Sequence, residues 1–192
     1  MRVPSPTQRP VAWLILAMLP CWAAANDLAA LPEFLRSDVA MELIGIEYKP
    51  GNRASVAQIG GGNLVSVQQG AGSLNKVDVR QTGQDLAADL LQDGQGNNIH
   101  LVQQGSNQAA SLSQYGNENQ MYILQQGNQV QVSGQQIGDG NMLLLQQGSN
   151  TTFGFTQTGN QNHISAELPA NNSWSYQVDQ VGDNLRMQIS PN

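Results

Sequence analysis

Gln-x-Gly recurs along this chain at a fixed interval. Gln81-Thr82-Gly83, Gln92-Asp93-Gly94, Gln103-Gln104-Gly105, Gln114-Tyr115-Gly116, Gln125-Gln126-Gly127 and Gln136-Ile137-Gly138 follow one another eleven residues apart. Gly148 and Gly159 continue the series after one slip to ten, and Gly60 and Gly70 precede it with looser spacing. A second marker has twice that interval: Asn75, Asn97, Asn119 and Asn141 are each 22 apart, and Asn162 follows at 21. The unit is therefore 22 residues long and made of two similar halves. A unit this short cannot bury an apolar face alone, so it must stack on its neighbours.

An eleven-residue period could also mark a right-handed helical coiled coil. The interior of each half excludes that. Asn119, Met121, Ile123 and Gln125 fall on one side of an alternating segment, with Gln120, Tyr122 and Leu124 on the other. The same register gives Asn97/Ile99/Leu101/Gln103, Asn75/Val77/Val79/Gln81 and Asn141/Leu143/Leu145/Gln147. Second halves agree, with Leu86/Ala88/Leu90/Gln92, Gln108/Ala110/Leu112/Gln114 and Thr151/Phe153/Phe155/Gln157. Period two over seven residues is a strand, and Gly in every connection breaks helices. The expected fold is all-β, a cross-β solenoid of strand–turn–strand–turn units.

In such a stack each inner Asn or Gln sits above its equivalent in the next unit. A carboxamide both donates and accepts, so a column of amides can hydrogen-bond along the axis. Candidate self-assembly residues are Asn52, Gln58, Asn63, Gln69, Asn75, Gln81, Gln92, Asn97, Gln103, Gln108, Gln114, Asn119, Gln125, Gln136, Asn141, Gln147, Gln157 and Asn162. Gly60, Gly83, Gly94, Gly105, Gly116, Gly127, Gly138, Gly148 and Gly159 are the turn glycines, expected to supply positive φ. Leu86, Gln108, Val130 and Thr151 stand where a second-half Asn would, so half of that column is not amide throughout.

The pattern Asn-x5-Gln-x-Gly, tandem at about 22 residues, resembles the curlin repeat of curli subunits. The fullest matches are Asn52…Gln58…Gly60…Asn63…Gln69 and Asn97…Gln103…Gly105…Gln108…Gln114. The resemblance implies an extracellular functional amyloid, exported and then polymerised on the cell surface as biofilm matrix, with either a major fibre subunit or a minor, nucleating one. It also implies partners: further copies of the chain, a second curlin subunit, an outer-membrane export pore and accessory factors. Residue chemistry reaches part of this independently. Between Gly94 and Ala166 the only formal charges are Glu118 and Asp139, and the stretch has no proline. Low charge with strong β alternation is the signature of cross-β assembly.

Flanking segments divide the chain into 1–25, 26–50, 51–168 and 169–192. Arg2 and Arg9, the apolar run Val11 to Leu19 and Ala23-Ala24-Ala25 read as a secretory signal, too short to span a membrane. Cleavage after Ala25 leaves 167 of the 192 residues, removes two of the eight basic side chains and takes the net charge from −6 to −8. The single Cys21 leaves too, so neither disulfides nor Cys-bound metal are expected. A lipid-attachment role for Cys21 is the rival reading, and Pro20 before it fits that poorly. Residues 26–50 lack the repeat and read as an export signal or a tail. Pro169 to Asn172 interrupts the array, after which Trp174, Tyr176 and Val178, a turn at Gly182, then Leu185, Met187 and Ile189 resume alternation as a divergent end unit with Gln180 its one clear ladder match.

Other functions find little support. Eight Lys and Arg against fourteen Asp and Glu offer no basic patch for nucleic acid. Gly (20), Asn (18) and Gln (26) make one third of the residues and charged residues only 11%, unlike an ordinary enzyme domain. His100 and His163 fall on the outward phase with no repeated acid beside them, so no catalytic, cofactor or metal residue is assigned. Lys76, Asp78, Arg80, Asp85, Asp89 and Asp93 cluster in one unit, either slowing premature polymerisation or simply solvated. Val102, Tyr122, Leu124, Met142 and Leu144 form an outward apolar stripe, either ordinary exposed apolar residues or a contact with a neighbouring fibre or another subunit. The rival class is a soluble β-solenoid that binds ice or glycan. Its outer face would need regularity, yet Lys76, Asn98, Gln120 and Met142 differ at one outer position.

Overall fold

The computed structural model describes residues 51–70, 72–170 and 173–190. The expected signal segment, Cys21 and residues 26–50 therefore lie outside the described residues. Every described element is a strand: β1 (Arg53–Gly61), β2 (Leu64–Gln69), β3 (Lys76–Gln95), β4 (Asn98–Asn117), β5 (Gln120–Ile137), β6 (Met142–Gln147), β7 (Thr151–Thr158), β8 (His163–Leu168), β9 (Trp174–Val181) and β10 (Arg186–Ile189). All pairings are parallel. The chain coils as a β-solenoid of about six rungs, each with a first and a second side joined by tight arcs.

Register follows the repeat. Val77 pairs with Ile99, Ile99 with Met121, Met121 with Leu143 and Leu143 with Ile164 on the first side. Leu90, Leu112, Gly134, Phe155 and Val178 line up on the second. Slipping a strand by one residue would turn this whole inner set outward, which is why the alternation fixes the register so firmly. In β3, β4 and β5 the ladder even runs through the arc, with Gly83 on Gly105 and Gln84 on Ser106, and only Asp85, Asn107 and Gln129 drop out of pairing.

Inner apolar side chains form one continuous core between the two sides, from Val77 and Val79 to Val178. Ile99, Leu101, Met121, Leu143 and Phe153 are sealed from solvent, each burial stabilising the stack by about 1.5–3 kcal/mol. Phe155 needs more room than a parallel-sheet position normally gives. Gly134, directly below it, supplies that room, since a Cβ there would collide with the Phe155 ring. Stacking also continues past Pro169: β9 pairs with β7 over Trp174 to Val181, and β10 pairs with β8.

Candidate functional site: amide columns and open edges

Fifteen Asn and Gln side chains are buried among the described residues, and buried amides must find partners. Two Gln columns do so with each other. On the first side, each Gln Nε2 donates to Oε1 of the next rung: Gln58 to Gln81 at 2.7 Å, Gln81 to Gln103 at 2.7 Å, Gln103 to Gln125 at 2.8 Å and Gln125 to Gln147 at 3.2 Å. On the second side, Gln69, Gln92, Gln114, Gln136, Gln157 and Gln180 form an unbroken chain with steps of 2.8–3.0 Å. The same Nε2 also crosses to the opposite side, as Gln92 does to the Lys76 carbonyl (3.1 Å) and Gln114 to that of Asn98 (3.2 Å). Each Gln thus closes one end of the thin core and ties it to the next rung.

The Asn column works differently. Asn75 N–H donates to Asn52 Oδ1 (3.1 Å), Asn97 N–H to Asn75 Oδ1 (3.0 Å), and the pattern repeats through Asn119, Asn141 and Asn162. Each Nδ2 meanwhile caps a turn carbonyl, such as Asn97 on Gly116 O (2.7 Å) and Asn119 on Gly138 O (2.7 Å). Among the described residues, direct Asn-to-Asn amide bonds run only from Asn119 to Asn97 and from Asn141 to Asn119. The short Asn reaches backbone where the longer Gln reaches its own kind.

Two of the residues singled out in the sequence do not join a column. Gln108 lies between Leu86 and Val130 in register. Its Nε2 caps the Gln104 and Gly127 carbonyls at 2.8 and 2.7 Å, and its buried Oε1 has no partner among the described residues. Asn63 has Leu86 above it, and its Oδ1 accepts the Leu86 N–H.

Turn glycines other than Gly148 have positive φ, from 102° at Gly127 to 143° at Gly83. A Cβ at Gly83 or Gly94 would run into the carbonyl of the glycine one rung on, so the turns stack too closely for any other residue. Gly148 lacks positive φ: the arc is one residue shorter there, and Ser149 and Asn150 carry the turn, with Asn150 at φ 60°. Sequence reading missed a second left-handed position two residues after each glycine, held by Asp85, Asn107, Glu118, Gln129 and Gln161. All five carry a carboxyl or carboxamide, and Gly62, Gly96 and Gly140 fill the same place in other arcs, so they pass for ordinary polar turn residues until the arc geometry is seen. Also missed was an exposed ladder on the outer turn, in which Asn117, Asp139, Asn160 and Asp183 side chains each accept the N–H of the rung before.

Formal charge lies outside. Lys76, Arg80, Asp89 and Asp93 are exposed, Asp78 faces Arg80 at 3.9 Å and His100 at 3.4 Å, and His163 is half-buried on the same face. Tyr122 and Leu144 stay over a third exposed and line a shallow groove with His100, Val102 and Leu124; Met142 lies in the neighbouring column. Among the described residues no cluster of three or more His, Cys, Asp or Glu could hold a metal, and no helix is long and apolar enough to cross a membrane.

The recurring Asn, Gln and Gly columns, one set per rung, are the signature to compare with known proteins. Residues 50–83 match the curlin associated repeat. The curlin match covers rung 1 and the start of the next, where the Asn52–Asn75 and Gln58–Gln81 steps are found. Later rungs repeat the same Asn and Gln columns by register, down to Asn162 and Gln180. No curated protein and no solved structure matched the chain.

Proposed function

We propose that the chain is an extracellular structural subunit of a curli-like amyloid fibre, exported and assembling by templated strand stacking into biofilm matrix and adhesive surface. The curlin repeat supports a curli-type subunit that polymerises. The observation that carries the reading is the first rung. Its inner side chains Ala54, Val56, Val65 and Val67 are only partly covered, whereas their equivalents Val77, Val79 and Leu90 are sealed. Nothing among the described residues stacks on that face. An unpaired parallel edge with half-covered apolar side chains is a template for another chain. A second curlin subunit and an outer-membrane pore with accessory factors are the partners this role requires. The role needs no catalytic residue and no cofactor.

The test is to release residues 26–192 from denaturant at micromolar concentration and follow amyloid-dye fluorescence, then fibre diffraction. Seeded growth with spacings of about 4.7 and 10 Å is expected. A short lag with the ability to seed another curlin would mark a nucleating subunit, and a long lag abolished by seeds a major one. A monomer with β circular dichroism and no fibres over days would overturn the proposal in favour of a soluble binder.

A further inference from the structure

Among the described residues the first side carries seven strands and the second side six. The extra one is β10, which pairs with β8 alone. We infer that β10 occupies the place that β1 of a second copy takes, so the docking surface for that copy is the β8–β9 edge. The inference rests on the fibre reading above.

A copy whose β1 stacked on β10 would have its β2 one rung too high to reach β9, leaving an empty strand position at every junction. With β10 out of the way, β1 lies on β8 and β2 on β9 together. Arg53 then meets His163, Val56 meets Ala166 and Gln69 meets Gln180, the same column matches that run through the interior. Gln180 Nε2 donates to the His163 carbonyl at 3.3 Å and is the last amide of its column. The incoming Gln69 Oε1, which no described residue donates to, is the acceptor that continues it. Asn162 Oδ1 now accepts the Leu185 N–H at 3.0 Å, and the incoming Asn52 N–H takes that bond.

β10 imitates what it would yield to. Arg186-Met187-Gln188-Ile189 sits in the register of Arg53-Ala54-Ser55-Val56, a cation followed by apolar, polar and apolar residues. It is the poorer occupant. Leu185 replaces Asn52, so the Asn column stops there. Arg186, Met187 and Gln188 are exposed and Ile189 half-buried. It pairs with four residues of β8, while β1 is long enough to pair with all six.

The decisive experiment locks β10 down. Ser165 and Gln188 are register partners on the outer face, and neighbouring strands about 4.8 Å apart suit a disulfide. In the full chain carrying Cys21→Ser, Ser165→Cys and Gln188→Cys, seeded elongation should be about tenfold slower or more oxidised than reduced, because the receptive form is withheld. Met187→Pro, which weakens the pairing of β10, should shorten the lag severalfold. Equal oxidised and reduced rates, with the cross-link verified by mass, would overturn the inference, as would faster growth when oxidised. If the unlocked chain forms fibres normally, only the role of β10 falls. If it forms none, the fibre reading falls with it.

Discussion

Replacing Gln114 with Leu tests whether the Gln columns hold the stack together. Gln114 is sealed from solvent, accepts from Gln92 Nε2 at 2.9 Å, donates to Gln136 Oε1 at 2.9 Å and donates to the Asn98 carbonyl at 3.2 Å. Leu nearly fills the volume, so little cavity forms and the loss is polar. It strands a donor on Gln92 and an acceptor on Gln136, each buried, at about 1–3 kcal/mol apiece. Some of this is offset by the added apolar surface, leaving about 3 kcal/mol. Between an unfolded soluble chain and the assembled state that is about a hundredfold rise in the soluble concentration at equilibrium, since each 1.4 kcal/mol is about tenfold. The assay is sedimentation of fibres at equilibrium, with denaturant dissolution as a second readout. Gln104→Leu, an exposed change in the same turn family, should move stability by less than about 0.5 kcal/mol. Gln108→Leu is the sharper control. Gln108 is as buried as Gln114 but has an unpartnered Oε1 and no amide bonded to it, so Leu there strands only the part-buried Gln104 and Gly127 carbonyls while removing that unpaired oxygen, and should cost about 1–2 kcal/mol, clearly less than Gln114→Leu. If Gln114→Leu and Gln108→Leu behave alike, the columns are not what satisfies the core and the reasoning fails.

Three further outcomes follow from the turns and the core. Gly116→Ala should destabilise by about 2 kcal/mol or more, because φ is 110° and the Cβ would strike the Gly138 carbonyl, whereas Gly61→Ala meets open space and should be near neutral by denaturant melts. Glu118→Gly should stabilise by about 0.5–1 kcal/mol by relieving a left-handed φ of 57°, read as a higher denaturant midpoint. Gly134→Ala should cost about 1–3 kcal/mol by overpacking, and adding Phe155→Leu should recover part of it; a double-mutant cycle with zero coupling would refute the pairing.

Much of the fold is legible because its two periods are independent and agree. Strand alternation places Val77, Ile99, Met121 and Leu143 inward, and the 22-residue interval places them above one another. Side-chain reach is not legible: Asn and Gln look interchangeable as ladder amides, yet one methylene decides whether the partner is backbone or another amide. Gln108 looks like a column member until its register neighbours are known to be Leu86 and Val130. The left-handed positions stay hidden because Asp85, Asn107, Glu118 and Gln129 look like any other polar residue in a chain this rich in carboxamides. Gly134 reads as a flaw in a strand, and its reason lies in Phe155, 21 residues on. Gly148 keeps its place in the glycine series but not its φ, since a one-residue deletion moved the bend to Asn150.

Every Gln-to-Gln bond in both columns points the same way, from the rung nearer Gln58 to the rung nearer Gln180. Two copies related by a two-fold axis would bring like edge to like edge, setting the Gln69 carbonyl oxygens against each other or Gln180 donors against Gln180 donors. Only translation with a screw joins donor to acceptor. That contact is heterologous, and a heterologous contact whose rotation does not return to its start has no closed ring to end in. The proposed association through these edges therefore has no natural dimer and no fixed stoichiometry, and the length of the assembly would be set by supply.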